Sequence, residues 1–333
     1  NSASAIIMSA PIKVVVFGAT GHTGRVIIDG LIKSPTNFEI VAVCRPSSLG
    51  KPQIDLFKKN GVKVVGLEIT GPREPLVDVI KGADTVIAAL NFLVLEQQTI
   101  LIDVCKEAGV GRFIPDNFGP VMPPVGVMAL RERKEKIINY IKLQKVPYTV
   151  IDVAWWYQIL PYKVPSGRID YMVPYGPDDA NHIPGEGNVR VSFSDVTAIG
   201  DKVARIIADP RTVNKYVHVY DEVMTYHQVL ETLEDVSGEK IERAYKTAEQ
   251  CQDAISEMNK VLAKDATNFM ALVGRSVSEY QYSLAVRGDT TPEVADYLGY
   301  LDVYKLYPDL EPATLQTYYR RALDGKEAPG HMD

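Results

Sequence analysis

Three glycines between an apolar run and an amphipathic stretch constrain the fold of this chain most strongly. Gly18 directly follows the β-branched residues 12–17, and Gly21 and Gly24 fall in the turn and the first helical turn that follow. Because glycine has no Cβ atom, backbone N–H groups in such a loop can approach a ligand closely. The N-terminus of the helix also favours bound anionic phosphate. The pattern predicts a dinucleotide site, with a tight structural turn as the alternative.

The side chains inside this loop belong to Thr20, His22 and Thr23. The two threonine hydroxyls can donate hydrogen bonds to phosphate oxygens. His22 stands alone at the start of the helix, so we assign it to the cofactor-binding loop and not to catalysis. With the exception of Ala19, the residues from Gly18 to Gly24 are therefore candidate cofactor contacts, six in all.

Short β-branched runs alternate with longer amphipathic stretches along the first half of the chain, which is typical of parallel strands joined by crossover helices. Their valine and isoleucine content predicts strands that are buried on both faces. The predicted strands are residues 12–17, 39–44, 62–68, 84–89, 112–115 and 148–153. The predicted helices are residues 22–32, 52–60, 73–81, 95–108 and 129–143.

The pattern changes after residue 153. Residues 161–188 are rich in proline, glycine and tyrosine, which predicts a loop-rich pocket wall. Helices are predicted again at 194–208, with Ser194 as the N-cap, and at 225–236, between Thr225 and Gly238. We therefore predict an α/β fold: a doubly wound parallel-sheet domain over 8–153 and a smaller, mostly helical substrate-binding lobe over 154–325, with elements such as 190–219 packing back on the first domain.

Composition argues against several classes of partner. The 333 residues are 46% hydrophobic, which supports a sizeable core, but no apolar run reaches the length of a membrane span. A net charge of −6 disfavours nucleic acid. The cysteines and the five histidines lack metal-ligand spacing, so we expect no metal site and a cytoplasmic protein with free thiols at Cys44, Cys105 and Cys251. The sequence leaves a homodimer open.

The end of the second predicted strand indicates which dinucleotide is bound. NAD sites usually place an acidic residue there to bind the ribose hydroxyls, and this chain has Arg45 instead. Arg45 can contact a 2′-phosphate through two parallel hydrogen bonds, and Lys51 adds a second positive charge. NADPH is the cofactor that this pattern favours, although both residues would also suit a solvated loop.

A lysine in the fifth predicted helix is a candidate catalytic residue. Leu130, Lys134, Ile137 and Ile141 follow helical spacing and share one face, whereas Lys136 points elsewhere. An ammonium group held against apolar surface has its charged form disfavoured, which lowers its pKa toward a value useful for proton transfer. The alternative is a lysine whose stem packs and whose charge reaches solvent.

Residues 18–25, 112–119, 146–149 and 209–215, with 287–290 and 306–309 near the end, together resemble the isoflavone reductase-like group of the NmrA-like atypical short-chain dehydrogenases. This group includes phenylcoumaran benzylic ether, pinoresinol-lariciresinol and isoflavone reductases, which use NADPH to reduce phenolic substrates. The resemblance spans almost the whole chain. It implies a Rossmann-like fold and an oxidoreductase of specialised, or secondary, metabolism.

The resemblance also implies roles for individual residues. The group's catalytic lysine falls on Lys134, and its 2′-phosphate contacts fall on Arg45 and Lys51. Trp156 replaces a phenylalanine beside the nicotinamide ring, and the group's Gly-His after the fourth strand is replaced by Asn91 and Phe92, which we also assign to cofactor binding. The Tyr-x-x-x-Lys pair of ordinary short-chain dehydrogenases is absent from this sequence.

Our leading hypothesis is hydride transfer from NADPH to an aromatic or conjugated small molecule, such as a phenolic ether, quinone methide, ketone or imine, with Lys134 as general base or acid. One rival is a dinucleotide-sensing regulator without catalysis, and another is a redox-neutral cyclase or isomerase. Candidate substrate contacts lie in the aromatic, loop-rich stretch, although its tyrosines would equally suit packing. They are Trp155, Tyr157, Tyr175 and His182.

Overall fold

In a computed structural model, the described residues are 10–160, 162–172 and 181–327. The chain forms two compact units. The first contains the described residues up to Asp116, together with Ile137–Val150 and Gly200–Asn214. The second contains Asn117–Lys136, Ile151–Ile199 and the residues from Lys215 onward. Each unit is therefore assembled from separate stretches of sequence, and residues 200–214 belong with the first.

A parallel sheet forms the centre of the first unit, in the strand order β3-β2-β1-β4-β5. Its middle residues, Val14, Val15 and Val16, are fully buried, as expected for a strand covered on both faces. This doubly wound arrangement confirms the predicted fold class. The strands are β1 (Ile12–Phe17), β2 (Phe38–Cys44), β3 (Lys63–Gly66), β4 (Thr85–Ala88) and β5 (Arg112–Ile114).

Helices follow the strands of this sheet as predicted. The helix predicted at 95–108 begins later than expected, because Phe92–Gln97 forms a 3-10 helix with non-helical backbone at Val94. The core of this unit contains buried side chains from β1, β2, α3, α4 and the second half of α5. The helices are α1 (His22–Lys33), α2 (Pro52–Lys59), α3 (Arg73–Ile80), α4 (Gln98–Ala108), α5 (Ala129–Gln144) and α6 (Ile199–Ala208). The first half of α5 belongs to the second unit.

Arg112, a buried residue at the start of β5, donates hydrogen bonds to the end of α6 and the turn that follows it. Its guanidinium donates to the Ile206 carbonyl at 2.9 Å, the Thr212 hydroxyl at 2.8 Å and the Asp209 carbonyl at 3.1 Å. Carbonyls in the last turn of a helix lack partners within the helix, so the guanidinium supplies donors that the helix cannot. Two of the sequence segments that carried the family resemblance are thereby joined in one contact.

The sixth predicted strand forms, but it pairs differently from the other five. β6 (Thr149–Val153) belongs to a second sheet with the order β13-β10-β6, where β10 is Lys215–Val219 and β13 is Tyr300–Asp302. Just before β6, Tyr148 makes an isolated parallel bridge with Phe113 on β5. β6 crosses from the first unit to the second between Val150 and Ile151.

The second unit contains short strands that the sequence prediction missed. They form the sheets β11-β9-β7 and β12-β8, from β7 (Trp155–Trp156), β8 (His182–Pro184), β9 (Arg190–Ser194), β11 (Glu222–Thr225) and β12 (Ala244–Lys246). Its helices are α7 (Tyr226–Ser237), α8 (Ala248–Lys264), α9 (Phe269–Tyr282), α10 (Pro292–Tyr297), α11 (Val303–Leu306) and α12 (Leu315–Leu323). Across the described ranges, no helix combines the length and the apolar character needed to cross a bilayer.

Caps were predicted at Thr225, Gly238 and Ser194, and the structure can be compared with each. Thr225 caps α7 through a capping box with Gln228, and Gly238 ends the helix at φ 74°, as predicted. The prediction of Ser194 as an N-cap is wrong. Ser194 is the last residue of strand β9, and the neighbouring Asp195 carboxylate instead accepts from the Thr197 N–H at 2.9 Å. A carboxylate is a strong acceptor for first-turn N–H groups.

The three cysteines, Cys44, Cys105 and Cys251, are free and buried, which confirms the expected free thiols. Burial raises the pKa of each thiol. The thiolate is therefore scarce at neutral pH, and these side chains act as small apolar groups in the cores.

Helices α1 and α6 meet at two glycines within the first unit. A Cβ atom on Gly30 would stand 2.1 Å from the carbonyl carbon of Gly200, and one on Gly200 would stand 2.1 Å from the carbonyl oxygen of Val26. Both obstacles are backbone atoms, which cannot rotate away as a side chain would. The two helices therefore pack at a distance that only glycine permits.

We expect Gly30→Ala to lower the free energy of unfolding by about 1–3 kcal/mol, because forced separation of packed helices outweighs the helix propensity gained from alanine. Gly50→Ala is the matched control, since a Cβ atom there meets nothing within 4 Å. Denaturant unfolding of both variants measures the difference. Equal stability of the two variants would contradict the close contact.

His218 on β10 is a buried imidazole without a hydrogen-bond partner among the described residues, at either ring nitrogen. It is 1% exposed and stacks on Tyr220, with ring centroids 4.8 Å apart. Burial lowers the pKa of His218 to about 4, against the opposing effect of the Asp152 and Asp302 carboxylates. The folded protein therefore holds this side chain neutral.

Because the folded-state pKa of His218 lies below the ordinary value of 6.5, its contribution to stability is complete above that value and is lost as pH falls toward 4. The loss over this window is about 3 kcal/mol. We expect His218→Phe to reduce the fall in unfolding free energy between neutral and mildly acidic pH. Urea unfolding across that pH range measures it, and equal slopes for the two proteins would contradict the burial of a neutral imidazole.

Candidate active site

The glycine loop lies where the strand order of the first sheet reverses, between β1 and β4. Gly18 has φ +76°, and a Cβ atom on it would stand 1.9 Å from the Ala89 carbonyl oxygen, just after β4. The two chain segments thus leave the carboxyl ends of their strands in close backbone contact. In doubly wound sheets, ligands bind at this switch point.

The loop is shaped to receive an anionic group. Gly21 donates its N–H to the Gly18 carbonyl at 3.0 Å, and a Cβ atom on Gly24 would stand 2.3 Å from the same oxygen. Gly21 is also the N-cap of α1, which has no side-chain cap and no acidic residue in its first turn. Uncapped N–H groups and a positive helix terminus suit a diphosphate. Thr20, His22 and Thr23 are partly buried in the same loop.

Two cations flank the turn that follows β2. Arg45 and Lys51 are both exposed, and the turn between them is closed by the Ser48 N–H donating to the Arg45 carbonyl at 2.8 Å. Gln53 on α2 donates to the Thr20 carbonyl at 3.1 Å, which ties this segment to the glycine loop. The two predicted 2′-phosphate contacts are therefore placed next to the predicted diphosphate loop.

Asn91 and Phe92 follow β4 at the same edge of the sheet. The Asn91 side chain accepts from the Leu93 N–H at 2.9 Å and caps the 3-10 helix that Phe92 begins. Asn91 is exposed and Phe92 is half-buried. All candidate cofactor residues of the first unit thus lie on segments that follow β1, β2 or β4.

Lys134 lies in the second unit, on the wall of a small cleft. Its Nζ donates to the Asn117 carbonyl at 2.6 Å, and the side chain is half-buried, whereas Lys136 is exposed. The cleft also includes Leu130, which confirms that Leu130 and Lys134 share a face. Its lining is mostly apolar, with Pro120, Met122, Met128 and Tyr280 beside Asn117, Gly119 and Arg131.

A buried charge cluster lies directly behind this cleft. The Asp152 carboxylate, fully buried, accepts from the Asn117 amide at 2.9 Å and from the Arg131 guanidinium at 2.6 Å, and also accepts from the Tyr300 hydroxyl. Arg131 also donates to the Tyr300 hydroxyl at 2.9 Å and pairs with Glu135 at 2.7 Å. The ion pairs keep Arg131 protonated, and its pKa is raised although burial alone would lower it.

The predicted aromatic contacts have different surroundings. Trp155 is half-buried, and its ring lies 5.0 Å from the ring of Tyr280, which lines the lysine cleft. Trp156, also half-buried, is the second residue of β7 and pairs with Ser194 on β9. Trp155 thus extends the apolar surface that Tyr280 presents.

The remaining candidates do not gather at the cleft. Tyr157 is fully buried in the core of the second unit, and its hydroxyl donates to Glu222 at 2.7 Å, as in the packing alternative. His182 is half-buried on β8, where no partner of its Nδ1 is found among the described residues. Tyr175 lies outside the described residues.

The sequence analysis missed the cluster around Asp152. The available signals were an aspartate within the mostly apolar strand β6 and an arginine about one helical turn before Lys134 on the same helix. A charged residue in a buried strand needs a partner, since an unpaired buried charge is costly. Tyr280 gave no such signal, because helix α9 carries no feature that separates it from an ordinary packing helix.

The fold and these two sites define an α/β protein with a glycine loop of the shape that suits a dinucleotide and a lysine held at an apolar cleft. The sequence profile of the NmrA-like family matches residues 11–318, so the chain belongs to the NmrA-like family. The resemblance inferred from the sequence motifs is thereby confirmed.

Curated relatives match along nearly the whole chain. Asnovolin J 5′,6′-dehydrogenase of Aspergillus novofumigatus is 38% identical over 315 residues, covering 94% of this chain and 96% of the relative. Phenylcoumaran benzylic ether reductase TP7 of Nicotiana tabacum is 29% identical over 328 residues, covering 93% and 98%. A solved complex of leucoanthocyanidin reductase with NADPH from Vitis vinifera superposes with a TM-score of 0.78 at 21% identity, covering 94% and 99%. The last likeness supports the fold.

Proposed function

We propose that this protein is an NADPH-dependent oxidoreductase that acts on an aromatic or conjugated small molecule of specialised metabolism. The observation that carries the proposal is the position of Lys134, with its Nζ fixed by a carbonyl at the wall of an apolar cleft. Relatives along nearly the full length are named as a dehydrogenase and a reductase, which supports redox chemistry.

The first unit would hold the cofactor. Its glycine loop offers backbone N–H groups to the diphosphate, and Arg45 and Lys51 offer positive charge to a 2′-phosphate. We propose Asn91, Phe92 and Trp156 as contacts nearer the nicotinamide. NADPH supplies the hydride when it is bound.

Lys134 would move the proton. With a phenolic substrate, Nζ as a neutral amine would take the phenolic proton, and the phenolate would expel the leaving group from the benzylic carbon; with a ketone or imine, Nζ as an ammonium group would donate a proton to the heteroatom. The Asn117 carbonyl restrains Nζ in one position, and the apolar lining limits competition from water. Trp155 and His182 remain candidate substrate contacts.

The same arrangement would also serve the reverse reaction. The 38% identical relative is named a dehydrogenase, so oxidation of a saturated substrate by NADP⁺ is the second candidate. Assays with a panel of substrates, started from either NADPH or NADP⁺, decide the direction from the change in nicotinamide absorbance. Conversion of substrate without any such change would favour a redox-neutral cyclase or isomerase, and tight cofactor binding without conversion would favour a regulator.

We expect Lys134→Met to lower kcat by about 10²–10⁴-fold with little change in KM, because it removes the proton-transferring group and keeps the side-chain volume. Lys136→Met, two residues on and exposed, is the matched control and should retain activity. Steady-state kinetics measures both variants. Turnover of Lys134→Met within a fewfold of the native enzyme would remove Lys134 from the mechanism.

Arg45→Ala is expected to weaken NADPH binding by about 10–100-fold and to leave NADH binding nearly unchanged, since only NADPH carries the 2′-phosphate. Lys51→Ala should act in the same direction. Lys58→Ala, an exposed lysine on α2, controls for the loss of one positive charge. Calorimetric titration with both cofactors gives the dissociation constants, and stronger binding of NADH by the native protein would overturn the assignment.

A further inference from the structure

The buried carboxylate of Asp152 joins the two segments that determine where the Lys134 ammonium group lies. One of its oxygens accepts from the Asn117 amide at 2.9 Å, and the carbonyl of the same residue is the acceptor of Lys134 Nζ at 2.6 Å. The other oxygen accepts from Arg131 at 2.6 Å, on the helix that carries Lys134. One side chain therefore holds both the residue that accepts from Lys134 and, through Arg131, the helix that carries Lys134.

Charge is balanced in the same place. Arg131 pairs with Asp152 at 2.6 Å and with Glu135 at 2.7 Å, and all three side chains are buried or nearly so. With Lys134, this makes two positive and two negative charges within one helical turn of α5 and the facing strand. At low effective dielectric, removing one of these charges changes the free energy of protonating its neighbours.

We propose that Asp152 is a positioning residue for Lys134, which fixes the Lys134 Nζ against the Asn117 carbonyl and compensates the charge of Arg131 beside it. The proposal rests on the function proposed above for Lys134. Asp152 does not itself line the cleft; it contacts Asn117 and Arg131, which do, and acts through them.

Three ionisable groups packed near this cluster, His218, Tyr216 and Tyr300, have pKa values far from the neutral range. Burial lowers the pKa of His218 to about 4 and raises the pKa of Tyr216 to about 12 on β10. Burial also raises the pKa of Tyr300 well above its ordinary value. From α9, Tyr280 lines the cleft and Glu279 accepts from the Ala129 N–H at 3.2 Å. Near neutral pH, a change in Lys134 titration on substitution of Asp152 therefore does not come from titration of His218, Tyr216 or Tyr300.

The test is competitive labelling of the native full-length protein with acetic anhydride as a function of pH, followed by mass spectrometry of the peptide that contains Lys134. Asp152→Asn keeps the shape and removes the charge, so we expect the labelling midpoint to move to lower pH by on the order of one unit. In the pH profile of kcat, the pH at which the ionisation of Lys134 changes the rate should move in the same direction. We also expect kcat to fall by about 10–100-fold, with KM changed less.

Three further variants separate charge from geometry. Arg131→Met combined with Asp152→Asn removes one charge of each sign, and the midpoint should return toward its native value. Asn117→Ala and Tyr300→Phe each remove a hydrogen bond to Asp152 and retain all four charges. We therefore expect kcat to fall while the labelling midpoint of Lys134 stays in place. Tyr300→Phe is the mildest change, and if Asp152→Asn does not fold, an unchanged kcat in Tyr300→Phe would overturn the proposal.

Glu234→Gln is the matched control, because Glu234 is a buried carboxylate that pairs with Arg243 at 2.7 Å on α7, away from Lys134 and its partners. It should alter stability and leave the Lys134 midpoint and kcat unchanged. An unshifted midpoint in Asp152→Asn, or an equal shift in Glu234→Gln, would overturn the proposal. Because labelling needs no turnover, absence of any redox activity in the native protein would instead count against the proposed function.

Discussion

The contact between Gly18 and the Ala89 carbonyl is the constraint on which the first unit depends. A methyl group placed on Gly18 would stand 1.9 Å from that oxygen, well inside van der Waals distance. Any side chain there would push the ends of β1 and β4 apart, and β1 is the central strand of the sheet. The same absence of a side chain leaves the start of α1 open to phosphate. Sheet packing and cofactor binding therefore require the same residue type at this position.

The glycine loop relies on backbone groups, whereas the lysine cleft relies on charged side chains. The glycine loop uses backbone N–H groups and a helix terminus, so its chemistry depends on chain path and on the absence of side chains. The lysine cleft depends on buried charges whose partners come from α5, β6 and β13. Breaking a buried ion pair is costly, whereas the apolar cleft lining tolerates exchange of one hydrophobic side chain for another. This division allows a change of substrate with no change at the phosphate loop.

The sequence predicted the elements whose signals are local. Three features follow from patterns among residues that are close in the sequence. They are the strands of the central sheet, the caps at Thr225 and Gly238, and the face shared by Leu130 and Lys134. The cluster at Asp152 could not be predicted in this way, because its partners Asn117 and Tyr300 are 35 and 148 positions away. β7 and β12, with two and three residues, are too short to show a periodic pattern. Ser194 was misassigned because its strand continues up to the cap.

The chain passes back and forth between the two units, and this has a consequence for how the protein can be divided. It leaves the first unit after Asp116, returns at Ile137, leaves again after Val150, and returns once more for Gly200–Asn214. No single cut of the polypeptide therefore yields either unit intact, and neither corresponds to a contiguous stretch of a gene. A replacement for the second unit could therefore not be added by joining one new segment to an end of the first.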